Sequence, residues 1–153
     1  MIFLSRLFLS MSAIAFLLIG LNTLYDPVAA MTAIELQPTS ISATNEIRAN
    51  YGGMHLAFAL IMLTGAIAAS ARRPALWMIF SITFGLVVGR LISLLLDGMP
   101  NATADFLLAL EIVSTAGAAG LLWFSRNISH EPLSDSAFGI VFLFFCVETS
   151  QTF

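Results

Sequence analysis

Residues 45–69 read NEIRANYGGMHLAFALIMLTGAIAA, a polar beginning that continues directly into an apolar stretch. The apolar part contains no ionisable residue apart from His55. A membrane helix needs about 20 mostly apolar residues, and the run extended over residues 47–71 meets that length. The sequence therefore predicts a membrane span at this place, with an unusually polar first half.

The composition of the whole chain agrees with this prediction. Of the 153 residues, 59% are apolar and 10% are charged, whereas a soluble domain has about a quarter charged residues. Three more apolar stretches are long enough to span a bilayer, and they cover residues 2–24, 75–96 and 104–124. We therefore predict an all-α fold, an integral membrane four-helix bundle over residues 1–126. No run of basic residues is present that would bind a nucleic acid.

The connections between the spans carry recognisable signals. Asp26-Pro27 is typical of a helix start and predicts a short outer surface helix over about residues 27–36, followed by a polar loop over residues 37–45. Arg72-Arg73-Pro74 is expected to end the second span, and Asp97-Gly98-Met99-Pro100 to end the third.

The C-terminal tail, residues 127–153, is predicted to be cytoplasmic or interfacial. Its apolar run of about 11 residues would make a helix of roughly 17 Å, too short for a hydrocarbon core of about 30 Å. We expect this segment to lie in the membrane interface or to contact a partner.

Basic residues indicate the orientation of the chain, because arginines near span ends favour the cytoplasmic side. A four-span topology puts Arg6, Arg72, Arg73 and Arg126 on one side. The sequence thus predicts a multi-pass protein of the bacterial inner membrane with both termini in the cytoplasm.

Three ionisable residues fall at one predicted depth. His55 lies seven residues past Arg48, Arg90 seven before Asp97, and Glu111 seven past residue 104, each about 10 Å from the outer boundary. Charged side chains inside a membrane usually pair with one another. We predict an ion pair of Arg90 with Glu111, with His55 beside it. The full predicted polar pocket, open to the outside, consists of Arg48, Tyr51, His55, Arg90, Ser93, Asp97 and Glu111.

Two interpretations of this polar layer are open. It is either a site for a small ligand or a proton, or a structural device that fixes helix register. A single axial bond from His55 to a haem or a chlorophyll is a lesser alternative, and we predict no cofactor and no metal site. No nucleophile or cofactor motif accompanies the polar layer, so an enzyme is not predicted.

Small residues recur every four positions on two of the predicted helices. The positions are Gly53, Ala57, Gly65 and Ala69 on the second span, where the larger Ile61 interrupts the repeat, and Ser81, Gly85, Gly89 and Ser93 on the third. Such spacing lets membrane helices approach closely. We expect Gly53, Ala57, Ser81, Gly85 and Gly89 to pack within this bundle, and a homodimer face is the alternative.

The chain resembles a family of small bacterial membrane proteins known as domain of unknown function 4345. The resemblance covers about residues 7–124 and is carried by Arg48-Ala49-Asn50-Tyr51-Gly52-Gly53, Gly89-Arg90-Leu91-Ile92-Ser93, Asp97-Gly98-Met99-Pro100 and Glu111. It implies a four-helix membrane bundle, distantly similar to DoxX-like proteins, and no established activity.

Two functional classes follow from these observations. The first is a non-enzymatic accessory subunit of a larger membrane complex, which would dock through the C-terminal segment or the small-residue helix faces. The second is a small transporter or ligand-binding protein that uses the polar pocket.

Overall fold

The computed structural model describes residues 1–126, which fold into helices joined by short turns. The helices are α1 (Ile2–Tyr25), α2 (Pro27–Thr32), α3 (Ile41–Ile47), a π-helical segment (Arg48–Gly53, the π segment), α4 (Met54–Ile67), α5 (Ala69–Asp97) and α6 (Ala102–Arg126). The predictions for the tail of residues 127–153 lie outside the described residues.

Four stretches within residues 1–126 are long and apolar enough to cross a membrane. They are α1, the continuous run from α3 through the π segment to α4, then α5, and residues 102–124 of α6. Large apolar side chains are widely exposed on these helices, as expected of surfaces that contact lipid. The predicted all-α membrane bundle is therefore confirmed.

The spans alternate in direction. Gly52 lies against Leu24, near the end of α1, and Gly65 lies against Leu9, near its beginning, so α4 is antiparallel to α1. We call the end of the bundle where α1 finishes and α6 begins the acidic end, since Asp97 and the other carboxylates of the connections lie there. The opposite end, where α4 meets α5, is the arginine end.

The connection between the second and third spans differs from the prediction. Ala68 is extended (φ −91°, ψ 128°) and separates α4 from α5, whereas Arg72-Arg73-Pro74 lies in the first two turns of α5. Gly65 lies against Ala75, so the two helices fold back on each other earlier than predicted. Pro74, the sixth residue of α5, removes one helix hydrogen bond near the start of that helix.

The loop before the second span is also shorter than predicted. The Ser40 hydroxyl accepts a hydrogen bond from the Ala43 amide at 3.1 Å and thereby caps α3, which begins at Ile41. The second span consequently covers residues 41–67, whereas the sequence predicts 47–71. A serine within a polar stretch reads equally well as a loop residue or as a cap, which is why the sequence pattern was misleading.

Side-chain caps fix the connections at the acidic end. Asp26 Oδ1 accepts from the Ala29 amide at 3.0 Å and starts α2 at Pro27, as predicted, although the helix ends at Thr32 and not near residue 36. Asn101 Oδ1 accepts from the Ala104 amide at 2.9 Å, while Asn101 Nδ2 donates to the Ala33 carbonyl at 3.2 Å. This side chain therefore joins the start of α6 to the turn that follows α2.

The shared core of the bundle lies toward the arginine end. All four spans contribute to it through buried residues, which are Leu9, Ala13, Met62, Ala66, Ala75, Leu76, Ile79, Ala118, Leu121 and Leu122. Beyond this core, α1 packs chiefly on α4 and the π segment, and α5 packs chiefly on α6. The polar residues near the acidic end are thus distributed between two helix pairs.

Candidate functional site

Arg90 on α5 and Glu111 on α6 form an ion pair within the membrane-spanning part of the bundle. Arg90 Nε donates to both carboxylate oxygens, at 3.0 and 2.8 Å. The Glu111 side chain is 12% exposed and that of Arg90 is 31% exposed. The carboxylate is therefore shielded by the helices, while the guanidinium still reaches the surface. The sequence predicts this pair from the equal depth of the two residues.

A hydrogen-bonded threonine pair continues the polar seam toward the arginine end. Thr115 lies one turn beyond Glu111, and its hydroxyl donates to Thr83 Oγ1 at 2.8 Å. The Thr83 hydroxyl in turn donates to the Ile79 carbonyl at 2.8 Å within its own helix. The α5–α6 contact thus carries two successive polar links, a charged one near the acidic end and a neutral one deeper.

A cleft of about 70 Å³ opens beside the ion pair, at the acidic end of α5 and α6. Arg90, Ser93 and Asp105 contribute its polar side chains, and Leu94 and Leu108 contribute apolar walls. This space holds several water molecules or one small polar group.

The rim of the cleft is formed by the turn that ends α5. Ser93 Oγ donates a hydrogen bond to Asp97 Oδ2 at 2.8 Å, so the carboxylate of the last residue of α5 has a donor within its own helix. Gly98 follows with φ +95°, a conformation that other residues rarely adopt, and Pro100 completes the rim. Arg90 and the turn after α5 therefore line the same cleft.

Tyr51 and His55 belong to a different cluster. The His55 ring stacks on Phe16 of α1, with centroids 5.2 Å apart, and on Tyr51 at 6.0 Å. Phe58 on α4 completes the group. Among residues 1–126, neither Tyr51 nor His55 forms a hydrogen bond with α5 or α6. The structure thus divides the predicted pocket into an aromatic cluster on α1 and α4 and a charged cleft on α5 and α6.

The π segment orients His55. Its Nδ1 lies 3.1 Å from the carbonyl oxygen of Asn50, which is inside the segment. Because a carbonyl oxygen only accepts, we assign the proton to Nδ1, which leaves the Nε2 lone pair free in the neutral ring. Short π-helical stretches are frequent at functional sites. An axial bond from this nitrogen to a haem stays the lesser alternative beside the prediction of no cofactor.

Arg48 lies at the acidic end, apart from both clusters. Its side chain is exposed, and Nε donates to the Leu24 carbonyl at the end of α1 over 3.4 Å. Asn50 Nδ2 donates to Glu46 on the same helical run at 3.0 Å. These residues therefore lie in the polar first part of the second span and do not line the cleft.

The small residues predicted to pack inside the bundle are on its surface. All five of these residues are exposed, namely Gly53, Ala57, Ser81, Gly85 and Gly89. A Cβ added to Gly85 or Gly89 would meet nothing within 4 Å. Packing within this bundle is accordingly not their role, because the face of α5 that contacts α4 and α6 is a different one.

Other glycines make the close helix contacts. A Cβ at Gly20 would lie 3.0 Å from the Gly52 carbonyl, and one at Gly117 would lie 3.1 Å from the Phe8 ring. Gly65 lies against Ala75, as noted above. Sequence spacing indicated Gly65 but missed Gly20 and Gly117. Gly20 falls on the buried face of α1 seven residues after Ala13, a spacing that marks one helix face and would have indicated it.

No group of three or more metal-binding side chains occurs among the residues that the structure describes. The polar positions form two separate clusters on different helix pairs, and each offers a different chemistry. The charged cleft presents a guanidinium and a carboxylate, whereas the aromatic cluster presents one imidazole nitrogen.

Helices of this length and apolarity, with a polar seam between two of them, define a small multi-pass membrane protein. The chain belongs to the family described as a domain of unknown function, DUF4345, which it matches over residues 4–127. No curated protein matches the chain, and no solved structure does.

Proposed function

We propose that this chain is a non-enzymatic ligand-binding membrane protein that holds an anionic group beside Arg90 in the cleft between α5 and α6. One observation carries the proposal. Arg90 binds Glu111 through Nε, and its terminal nitrogens Nη1 and Nη2 form no hydrogen bond with any residue between 1 and 126. Since Arg90 lines the cleft, these donors are available to a ligand.

The position of the arginine favours binding over a purely structural role. An ionisable residue in a membrane span is costly, and such residues generally mark ligand or ion pathways. The ion pair holds the guanidinium in place, so an incoming anion meets a preorganised partner. Planar guanidinium groups suit phosphate and carboxylate oxygens, because they donate two parallel hydrogen bonds.

The cleft would face outward from a bacterial inner membrane. Arginines occur at the end of the bundle where α1 begins and α4 meets α5. By the preference of basic residues for the cytoplasmic side, both ends of residues 1–126 would lie in the cytoplasm. The cleft, at the opposite end, would then be accessible from the outer leaflet and the space beyond it.

The proposal is tested by comparing short-chain phospholipids with a diacylglycerol that has the same acyl chains but no phosphate. We expect at least one phospholipid, but not the diacylglycerol, to raise the melting temperature of the purified protein in a non-ionic detergent. The double variant Arg90→Ala/Glu111→Ala removes the site without leaving an unpaired charge, and we expect it to lose the response. The exposed Arg6, at the arginine end, supplies the control Arg6→Ala, which should retain it. An equal response in the double variant contradicts the proposal.

A second candidate, an accessory subunit, is favoured by the exposed small-residue face of α5. Gly85 and Gly89 have open space above them and permit close approach of a helix from another membrane protein. We expect Gly85→Leu to abolish crosslinking of the chain to such a partner in intact membranes. Gly120→Leu on α6 is the matched control, since a Cβ added there also meets nothing within 4 Å. Loss of the crosslink in both variants, or in neither, contradicts this candidate.

A further inference from the structure

We infer that the ligand of the cleft is zwitterionic, a phosphate or carboxylate joined by a short link to a primary ammonium, as in phosphoethanolamine. The inference rests on the proposed function, because the anionic part is the group assigned to Arg90. It adds a second contact, from the ammonium to Asp105 on α6.

The charge balance of the cleft supports an ammonium. Arg90 is already compensated by Glu111 through its ion pair. Asp105 lines the same cleft, and its carboxylate forms no hydrogen bond with any residue in the described part of the chain. An anion bound at Arg90 without a positive charge would therefore lie near an uncompensated carboxylate. A ligand that carries both charges removes this repulsion.

The neighbouring carboxylate does not compete for the ammonium. Asp97 accepts the hydrogen bond of Ser93 at 2.8 Å and is not part of the cleft lining. Asp105 is thus the carboxylate of the cleft lining to which a ligand can donate. A primary ammonium has N–H groups for this purpose, and a quaternary ammonium has none.

The two charges also lie in the order that a headgroup requires. Glu111 comes six residues after Asp105 on α6, about 9 Å further from the acidic end. The guanidinium is held at Glu111, so the cationic site is deep and the carboxylate is at the rim. No ion pair joins Arg90 to Asp105, which leaves the space between them to a ligand. In phosphatidylethanolamine the phosphate is attached to the glycerol and the ammonium extends outward, which matches this order.

Three short-chain lipids that differ only in the headgroup test the inference. Phosphatidylethanolamine has the ammonium, phosphatidylcholine has a trimethylated one, and phosphatidylglycerol has none. From melting-temperature titrations in a non-ionic detergent, we expect phosphatidylethanolamine to bind about tenfold more tightly than the other two, the contribution of one charge-assisted hydrogen bond. Asp105→Asn should abolish this preference. The matched variant Asp26→Asn at the same end keeps a helix-capping side chain and should preserve it.

The outcomes separate the inference from the proposed function. If phosphatidylglycerol binds as tightly as phosphatidylethanolamine and both need Arg90, the zwitterion is wrong and the anion site stands. If Asp105→Asn keeps the preference, the ammonium contact is wrong. If no phospholipid and no free phosphoethanolamine binds, both proposals fail. Free phosphoethanolamine that binds as well as the lipid identifies a water-soluble ligand, whereas binding of the lipid alone identifies a membrane headgroup.

Discussion

Replacing Arg90 by alanine is expected to lower the free energy of unfolding by about 3–5 kcal/mol. The change leaves the Glu111 carboxylate between two membrane helices without its cation. In the unchanged protein the Glu111 side chain is 12% exposed. A buried unpaired charge is strongly unfavourable, and this cost exceeds the modest net contribution of the pair itself. The expected effect therefore comes chiefly from the residue that remains.

The double variant Arg90→Ala/Glu111→Ala should recover most of that loss, because no unpaired charge is left behind. Reversible unfolding in mixed micelles of SDS and a non-ionic detergent provides the measurement, and the four variants of a double-mutant cycle give the coupling energy. Arg6→Ala, at an exposed position, should change stability by less than about 0.5 kcal/mol. A double variant as unstable as Arg90→Ala alone contradicts the assignment of this ion pair.

Replacing Gly65 by alanine is expected to destabilise the bundle by about 1–3 kcal/mol. The added Cβ would overlap Ala75 Cβ and approach Leu9 Cδ1 at 3.2 Å, so α4, α5 and α1 are all affected. Because the overlap involves the Cβ of Ala75, rotation of a side chain does not relieve it. The helices themselves must move apart.

Gly85→Ala is the matched substitution on α5, since its Cβ meets nothing within 4 Å. We expect it to leave stability unchanged or to raise it by up to about 1 kcal/mol through the better helix propensity of alanine. The same unfolding assay in mixed micelles compares the two variants. If Gly65→Ala is no more destabilising than Gly85→Ala, the close approach of α4 to α5 at Gly65 is contradicted.

The fold was largely accessible from the sequence because apolar length is a strong signal. Spans of this length have few alternatives in a chain with so few charges. The helix ends were less accessible. Arg72-Arg73-Pro74 resembles a turn, yet the break falls at Ala68, where the packing of Gly65 against Ala75 decides the geometry. Tertiary contacts of this kind leave no local trace in the sequence.

The candidate site was accessible only in part. Counting residues from the span ends gives the depth of a side chain, and depth was sufficient to pair Arg90 with Glu111. Depth says nothing about which helices are neighbours. His55 shares that predicted level but lies on α4, whose partner near the acidic end is α1, so it stacks on Phe16.

The small-residue pattern shows the same limitation. A repeat of small side chains predicts that a helix face permits close approach, but it does not say what approaches. Between α1 and the π segment the approach occurs at Gly20 and Gly52, within the chain. On α5 the face at Gly85 and Gly89 remains open. Only the arrangement of the helices determines which small residues have a neighbour within the chain.

The location of the apolar core near one end bears on how easily the other end changes shape. The buried residues that all four helices share anchor them where α4 meets α5, so small tilts of the helix pairs about that region widen the opposite end. Such tilts break few apolar contacts, and regions with few buried contacts deform at low free-energy cost. Such a tilt would open the space between the α1–α4 pair and the α5–α6 pair without unfolding the bundle, and its pivot would be built from side chains such as Leu9 and Leu76.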